Sequence, residues 1–363
     1  MEKKKKIMIG VITAIVIILL IVAINIIVTN VLGEEERTNT ASVENTRVNG
    51  ETDNTANVRT SINTGDNQSN ENVSTVYFTS DITSEGLLNI YHALGFEPEG
   101  NVAIKLSTGE MGGNNYLQPD LIDDLVQEVD GTIVENNTAY GGSRSSTAAH
   151  LQTAEAHGFT EIADVDILDS EGSMTLPVEN GTHLQENLVG SHYANYDSTI
   201  VLSHFKGHAM AGFGGAIKNI SIGFASREGK CLIHTAGESR TSFMGGDQDS
   251  FLESMAESAL SVANDKGDDI IYINVMNNLS IDCDCDSSPS EPDMHDIGIL
   301  ASTDPVAVDK ACIDLVYEQQ DGDGASLVNR IESRNGTHTL DYAEQIGLGN
   351  LYYRLVDIDV GNT

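Results

Sequence analysis

The feature that most limits how this chain can fold lies at its start. Lys3-Lys4-Lys5-Lys6 is followed by an apolar run from Ile7 to Leu32, interrupted by polar side chains only at Thr13, Asn25, Thr29 and Asn30. As a helix this run is roughly 39 Å long at ~1.5 Å per residue, against a hydrocarbon core of ~30 Å. A cleaved leader has an apolar stretch of only about 7–15 residues that ends in small side chains. Ile26-Ile27-Val28 is a poor approach to a cleavage site, and no cysteine follows to take a lipid. Residues 7–32 are therefore expected to be an uncleaved single-pass anchor to the membrane. Residues 1–6 form a basic tip, whereas Glu34-Glu35-Glu36 stand just past the run. Basic residues stay on the cytoplasmic side of a span, so the N-terminus is expected inside and the rest outside the cytoplasm.

Residues 33–74 are rich in Asn, Thr, Ser, Glu and Gly and contain no aromatic side chain. Such a segment buries too little apolar surface to offset its ordering entropy, so a disordered stalk is expected. Sequons at Asn67 and Asn72 would be accessible there. Residues 75–363 are long enough for one extracytoplasmic α/β domain or two lobes. The chain carries a net charge of −36, of which −34 falls in this last region. Nucleic-acid binding needs a basic footprint, so it is excluded as an expectation. The acidic surface is read as a solvated one.

Short apolar runs alternate with helical ones. Val76-Tyr77-Phe78, Val102-Ala103-Ile104, Thr132-Ile133-Val134 and Val165–Leu168 read as strands, with helices through Leu87–Leu94, Leu121–Val129 and Thr147–His157 between them. Later strands are expected at Thr199–Leu202, Ile270–Val275, Ile297–Leu300 and Leu355–Ile358. Strand–helix alternation predicts an α/β fold, a mainly parallel sheet with flanking helices. In such sheets ligands sit at the carboxyl ends of the strands.

Three segments can carry chemistry. The first runs from Ser203 to Asn219, just past a strand. His204 and His208 are four apart, so on a helix they share a face and can ligate one metal, although Gly207 weakens that helix. Gly212, Gly214 and Gly215 let backbone N–H groups approach an anion, which Lys218 can neutralise and Asn219 orient. The plain alternative is a glycine-packed corner with two surface histidines. The second is Cys283-Asp284-Cys285-Asp286, whose thiolates and carboxylates suit a soft or borderline metal. Asp293, His295 and Asp296 follow closely. The alternatives are an acidic loop or a disulfide to another cysteine, and Cys231–Cys312 is one further pairing. The third segment, Asp296–Ala311, places Ser302 or Thr303 to cap a helix and Pro305 in its first turn, leaving Asp309 inside it without a role. His234 with Glu238 is a minor candidate.

Taken together, these segments resemble the domain of unknown function 362 family over Val76–Asp359. The resemblance is carried by His204-Phe205-Lys206-Gly207-His208, by Gly212-Phe213-Gly214-Gly215-Ala216-Ile217-Lys218-Asn219, by Cys283-Asp284-Cys285, and by Asp296–Ala301 with Asp304-Pro305-Val306-Ala307. It implies an α/β fold and a metal or redox role. Many members are labelled iron–sulfur-centre proteins and carry an inserted ferredoxin-like segment. Here Ser239–Ser250 passes through Phe243-Met244-Gly245-Gly246 with no cysteine, so no conventional four-cysteine iron–sulfur cluster is expected.

The reading that follows is a metal-binding, extracytoplasmic domain acting on a small anionic molecule. Cys283 and Cys285 are the first metal ligands, with Asp284 and Asp286 beside them. Lys206, His208 and Lys218 are the acid–base candidates, and His204, Gly212, Gly214, Gly215 and Asn219 would hold the cofactor or anion. The other readings are a non-catalytic binding module displayed on a stalk, and a member that lost its cluster and kept the fold. The reading turns on whether the His204–Asn219 corner and the cysteine loop share one cleft.

Overall fold

The computed structural model describes residues 58–60, 73–319 and 324–360. The expected basic tip, the anchor over 7–32 and nearly all of the expected stalk lie outside these residues. Among the described residues, no helix is long and apolar enough to cross a membrane.

Nine strands form one sheet: β1 (Val58–Thr60), β2 (Ser74–Thr79), β3 (Val102–Lys105), β4 (Thr132–Glu135), β5 (Val165–Ile167), β8 (Ser198–His204), β11 (Ile270–Met276), β12 (Gly298–Ser302) and β13 (Tyr353–Asp357). Two hairpins stand outside it, β6 (Ser173–Pro177) with β7 (Glu186–Gly190), and β9 (Lys206–His208) with β10 (Gly212–Gly214). The order across the sheet is β1-β13-β2-β12-β11-β8-β3-β4-β5. Strands β11, β8, β3, β4 and β5 are mutually parallel, as are β13 and β2. β12 runs antiparallel to both its neighbours, and β1 is antiparallel to β13. The expected α/β architecture, mainly parallel and flanked by helices, is therefore present.

Val58–Thr60 lies inside the segment expected to be a stalk, yet it pairs with Arg354–Val356. The exposed backbone edge of β13 supplies the pairing that this polar segment's composition did not suggest.

The sheet is covered on both faces, which explains its continuous apolar strands. Side chains alternate across a strand. On β11, Ile271, Ile273 and Val275 pack into one layer, while Ile270, Tyr272 and Met276 pack into the other. Fully burying one such side chain contributes ~1.5–3 kcal/mol, so this central strand alone fixes the sandwiching of the sheet.

The helix Pro305–Tyr317 begins at Asp304, not at the expected Ser302 or Thr303. Ser302 is the last residue of β12, and its hydroxyl donates to the Thr75 carbonyl at 2.7 Å. Asp304 Oδ1 instead accepts the Val306 and Ala307 N–H groups at 2.9 and 3.0 Å. Its Oδ2 accepts from Ser74 Oγ at 2.7 Å and from the Asn350 N–H at 2.8 Å. One carboxylate thus caps the helix and closes the chain's far end onto β2. Asp304→Ala should cost ~2–4 kcal/mol, the sum of a lost cap and of donors left without an acceptor. Urea unfolding measures this; a loss below ~1 kcal/mol would mean water replaces the carboxylate at no penalty.

Candidate functional site

β8 and β11 are parallel neighbours, and His204 stands opposite Val275 in their register. Their exits therefore open at the same edge of the sheet. One exit leads into the β9–β10 hairpin and the helix Ala216–Ser221, which carries Lys218 and Asn219. The other leads into the loop that carries Cys283-Asp284-Cys285. Gly207 lets the two meet: its N–H donates to the Ser280 carbonyl at 2.8 Å, and a Cβ there would stand 2.3 Å from the Ile281 carbonyl oxygen. Asp284 closes the junction. It is 4% exposed, and its Oδ1 lies 2.7 Å from His204 Nδ1. Lys206 Nζ lies 2.8 Å from its Oδ2, an ion pair without hydrogen-bond alignment. Burial pushes the Asp284 carboxyl up, but Lys206 and His204 outweigh it and hold it below its ordinary value. The corner and the cysteine loop do share one cleft.

Several expected roles change. His204 and His208 do not lie on a helix; they end β8 and β9. His204 Nε2 is engaged by the Asn277 carbonyl at 2.7 Å, so both ring nitrogens are used and none is left for a metal or cofactor. Lys206 and Asp284 form a structural ion pair rather than a free acid–base group and a metal ligand. Asp286 is exposed and accepts the Ser288 N–H at 2.9 Å, outside the donor group. Asp293, His295 and Asp296 are exposed too and do not join it.

His208, Cys283 and Cys285 come together, with one donor atom from each lying within 4.8 Å of the others. All four cysteines are free thiols, so neither the loop nor a Cys231–Cys312 pair is bridged. The Cys285 N–H donates to Cys283 Sγ at 3.4 Å. The Cys285 thiol also donates to Cys283 and, with Lys218 and His208, holds Cys283 well below its ordinary value despite burial. Cys285 is pushed up by the same contact. Cys283 is therefore the more acidic thiol of the pair. His208 Nδ1 accepts the Ala211 N–H at 2.9 Å, which places the ring proton on Nε2.

The helix that follows the glycine corner does not offer its first N–H groups to an anion. Asp309, fully buried, accepts the Ala216 and Ile217 N–H groups at 2.7 and 3.0 Å, so the helix start is already capped from within. It also binds Asn274 Nδ2 of β11 at 2.7 Å. A Cβ on Gly215 would stand 2.2 Å from Asp309 Oδ1, which is why glycine is required there. Gly212, at φ +82°, packs against Gly336 and Ile331. Gly214 lines the cleft beside Lys218. Asn219 Nδ2 ties the Lys105 carbonyl at 3.1 Å to Ser203 Oγ at 3.0 Å, and so joins β3 to β8.

The cleft is a cavity of 260 Å³ between these motifs and the ends of β3 and β4. Sequence reasoning missed most of its cations. Lys105 ends β3, Lys230 lies on the helix Arg227–His234, and Arg144 sits beside Glu135 at the end of β4. Glu135 is 3.0 Å from Arg144 and 2.8 Å from His150. Burial raises that carboxyl, but these two partners win and hold it well below the carboxylate range. Lys105, Lys218 and Lys230 have no carboxylate within ion-pairing distance among the described residues. Burial and their mutual repulsion lower Lys105 to about 7 and Lys230 to about 8. Burial likewise lowers His234, the minor candidate, which lines the same cavity, to about 4. A second, outer cavity of 520 Å³ is lined by Glu110, Asp282 and Asp286, and it shares Cys283 and Cys285 with the first.

The family described as a domain of unknown function (DUF362) matches residues 102–314, over half of the chain, and the chain belongs to this family. The match lies inside the Val76–Asp359 span of the expected resemblance. Among solved structures, the lactate racemase apoprotein from Thermoanaerobacterium thermosaccharolyticum is 15% identical with a TM-score of 0.40, over 69% of this chain and 59% of that one. A protein from Thermotoga maritima is 12% identical with a TM-score of 0.39, over 63% of this chain and 57% of that one. The chain thus spans less than two thirds of either structure. None of the curated proteins matches it.

The lysine cluster has a measurable signature. The unfolded chain keeps these protons up to about 10.5, whereas folded Lys105 and Lys230 lose them near 7 and 8. The unfolded state then binds more protons, so stability should rise with pH across that window. Lys105→Met should flatten the rise. Urea midpoints measured against pH check this, and equal slopes in the two proteins would show that Lys105 keeps its charge when folded.

Proposed function

We propose that the cavity is an enzyme site in which a soft metal ion on Cys283 and Cys285 works beside a small anion held by lysines. One observation carries this reading. A chain of net charge −36 gathers Lys218 and Lys230, with no carboxylate in ion-pairing distance among the described residues, beside Lys105 in one cavity whose wall also bears two thiols. Clustered cations in a buried space repel one another, and an anion is the missing counter-charge. The donor chemistry fits a soft metal, since the surroundings of Cys283 favour its thiolate form. His208 can join only through Nε2, and only by giving up the Ala211 N–H, so the two sulfurs are the primary ligands. A metal bound there would supply Lewis acidity or electron transfer. Lys218 and Lys230 would bind and orient the anion. Lys105, titrating near neutrality, would hold or release a proton at Nζ. The low dielectric around the buried Lys105 and Lys230 side chains strengthens their contacts.

Anaerobically purified protein should carry metal that Cys283→Ser with Cys285→Ser removes. Sulfate should raise the thermal midpoint, by ~2.7 kcal/mol of stability at a hundred times its Kd, and Lys218→Gln with Lys230→Gln should abolish the gain. Trace metal that the serine substitutions leave unchanged sinks the first half; a midpoint that ignores sulfate sinks the second.

The Lys3–Lys6 cluster and the Ile7–Leu32 run support placing this site outside the cytoplasm on a membrane tether. Protease added to intact cells should release the domain, and protection until lysis would reverse the orientation.

A further inference from the structure

Lys105 is held in a way that suits a neutral amine better than an ammonium. It ends β3, is 1% exposed, and its side chain lines the inner cavity. Nζ donates to the Leu106 carbonyl at 2.8 Å and to Asn219 Oδ1 at 3.0 Å. A neutral amine has two N–H groups and a lone pair, so two acceptors satisfy it completely. An ammonium there would have one N–H left over, in a site that already carries Lys218 and Lys230. Asn219 cannot turn its oxygen away, because its Nδ2 is bound to the Lys105 carbonyl and Ser203 Oγ. Gly223 makes room, since a Cβ there would stand 2.8 Å from Nζ.

We propose that Lys105 is a nucleophilic amine that forms an imine with a small carbonyl compound bearing a carboxylate. The lone pair of Nζ attacks the carbonyl carbon and the C–N bond forms. The carbonyl oxygen leaves as water, carrying one amine proton and one proton drawn from solvent. The iminium keeps one N–H, for which Asn219 Oδ1 and the Leu106 carbonyl are the acceptors. No electrons are exchanged in this step. The near-neutral titration of Lys105 is consistent with it. That the carboxylate lies on Lys218 and Lys230 rests on the anion-binding reading above; the imine does not.

The test uses glyoxylate with cyanoborohydride near neutral pH, followed by peptide mass mapping. Borohydride reagents fix imines, not thiohemiacetals, so addition to Cys283 does not interfere. One carboxymethyl group should appear on Lys105, at least about tenfold faster than on any other lysine, as an amine unprotonated near neutrality requires. It should be absent in Lys105→Arg and in Lys105→Met. With Lys218→Gln and Lys230→Gln, glyoxylate labelling should fall while labelling by uncharged propanal persists. Labelling spread over exposed lysines, or none on Lys105 in the wild type, overturns the imine. If sulfate still raises the thermal midpoint in that case, the imine alone fails and the anion site stands; if it does not, both fail.

Discussion

The buried carboxylate of Asp284 holds the site together. It lies between His204 at the end of β8 and Lys206 at the start of β9, and its backbone carbonyl accepts the Glu110 N–H at 2.7 Å. Two stretches of chain, far apart in sequence, therefore converge on one residue of the cysteine loop. Removing one partner of a buried ion pair typically costs ~3–5 kcal/mol, because the other charge is left uncompensated. Cys283 and Cys285 flank this anchor and take their positions from it. The cysteine chemistry thus depends on a residue that would itself have been a plausible ligand by type, but whose oxygens are already committed.

Asp309 plays a parallel part on the other wall. It reaches from the helix Pro305–Tyr317 to Asn274 of β11 and to the first N–H groups of the helix Ala216–Ser221. Burial raises it to about 6, against the pull of its hydrogen bonds. Two carboxylates, each inside the protein, thus fix the two walls between which the lysines stand.

Much of the architecture was legible from strand–helix alternation, because a sheet covered on both faces writes its strands as continuous apolar runs. Val76–Phe78, Val102–Ile104 and Ile270–Val275 lie within observed strands for this reason. The antiparallel course of β12 was not legible, since direction depends on how a long loop returns and not on its apolar pattern. In the site, the motifs were found but their roles were exchanged. Glycines and N–H groups look alike in sequence whether a ligand or a carboxylate such as Asp309 fills them. Lys105 and Glu135 were missed because each is a lone charge in an otherwise apolar strand, and Lys230 because it is one of several charges on an ordinary amphipathic helix. The available signal was position: Lys105 and Glu135 are charged residues at the carboxyl ends of apolar strands, where an α/β sheet keeps its ligands.

The two cavities share their sulfurs, and this has a consequence for order of access. Cys283 and Cys285 line both the inner, lysine-walled chamber and the outer one bordered by Glu110, Asp282 and Asp286. The loop is a partition rather than a floor. A ligand on the lysine side and another on the acidic side would meet the same sulfur atoms without either passing the other. Under the enzyme reading proposed above, both sides can be filled at once, which favours a ternary complex over successive entry through one mouth.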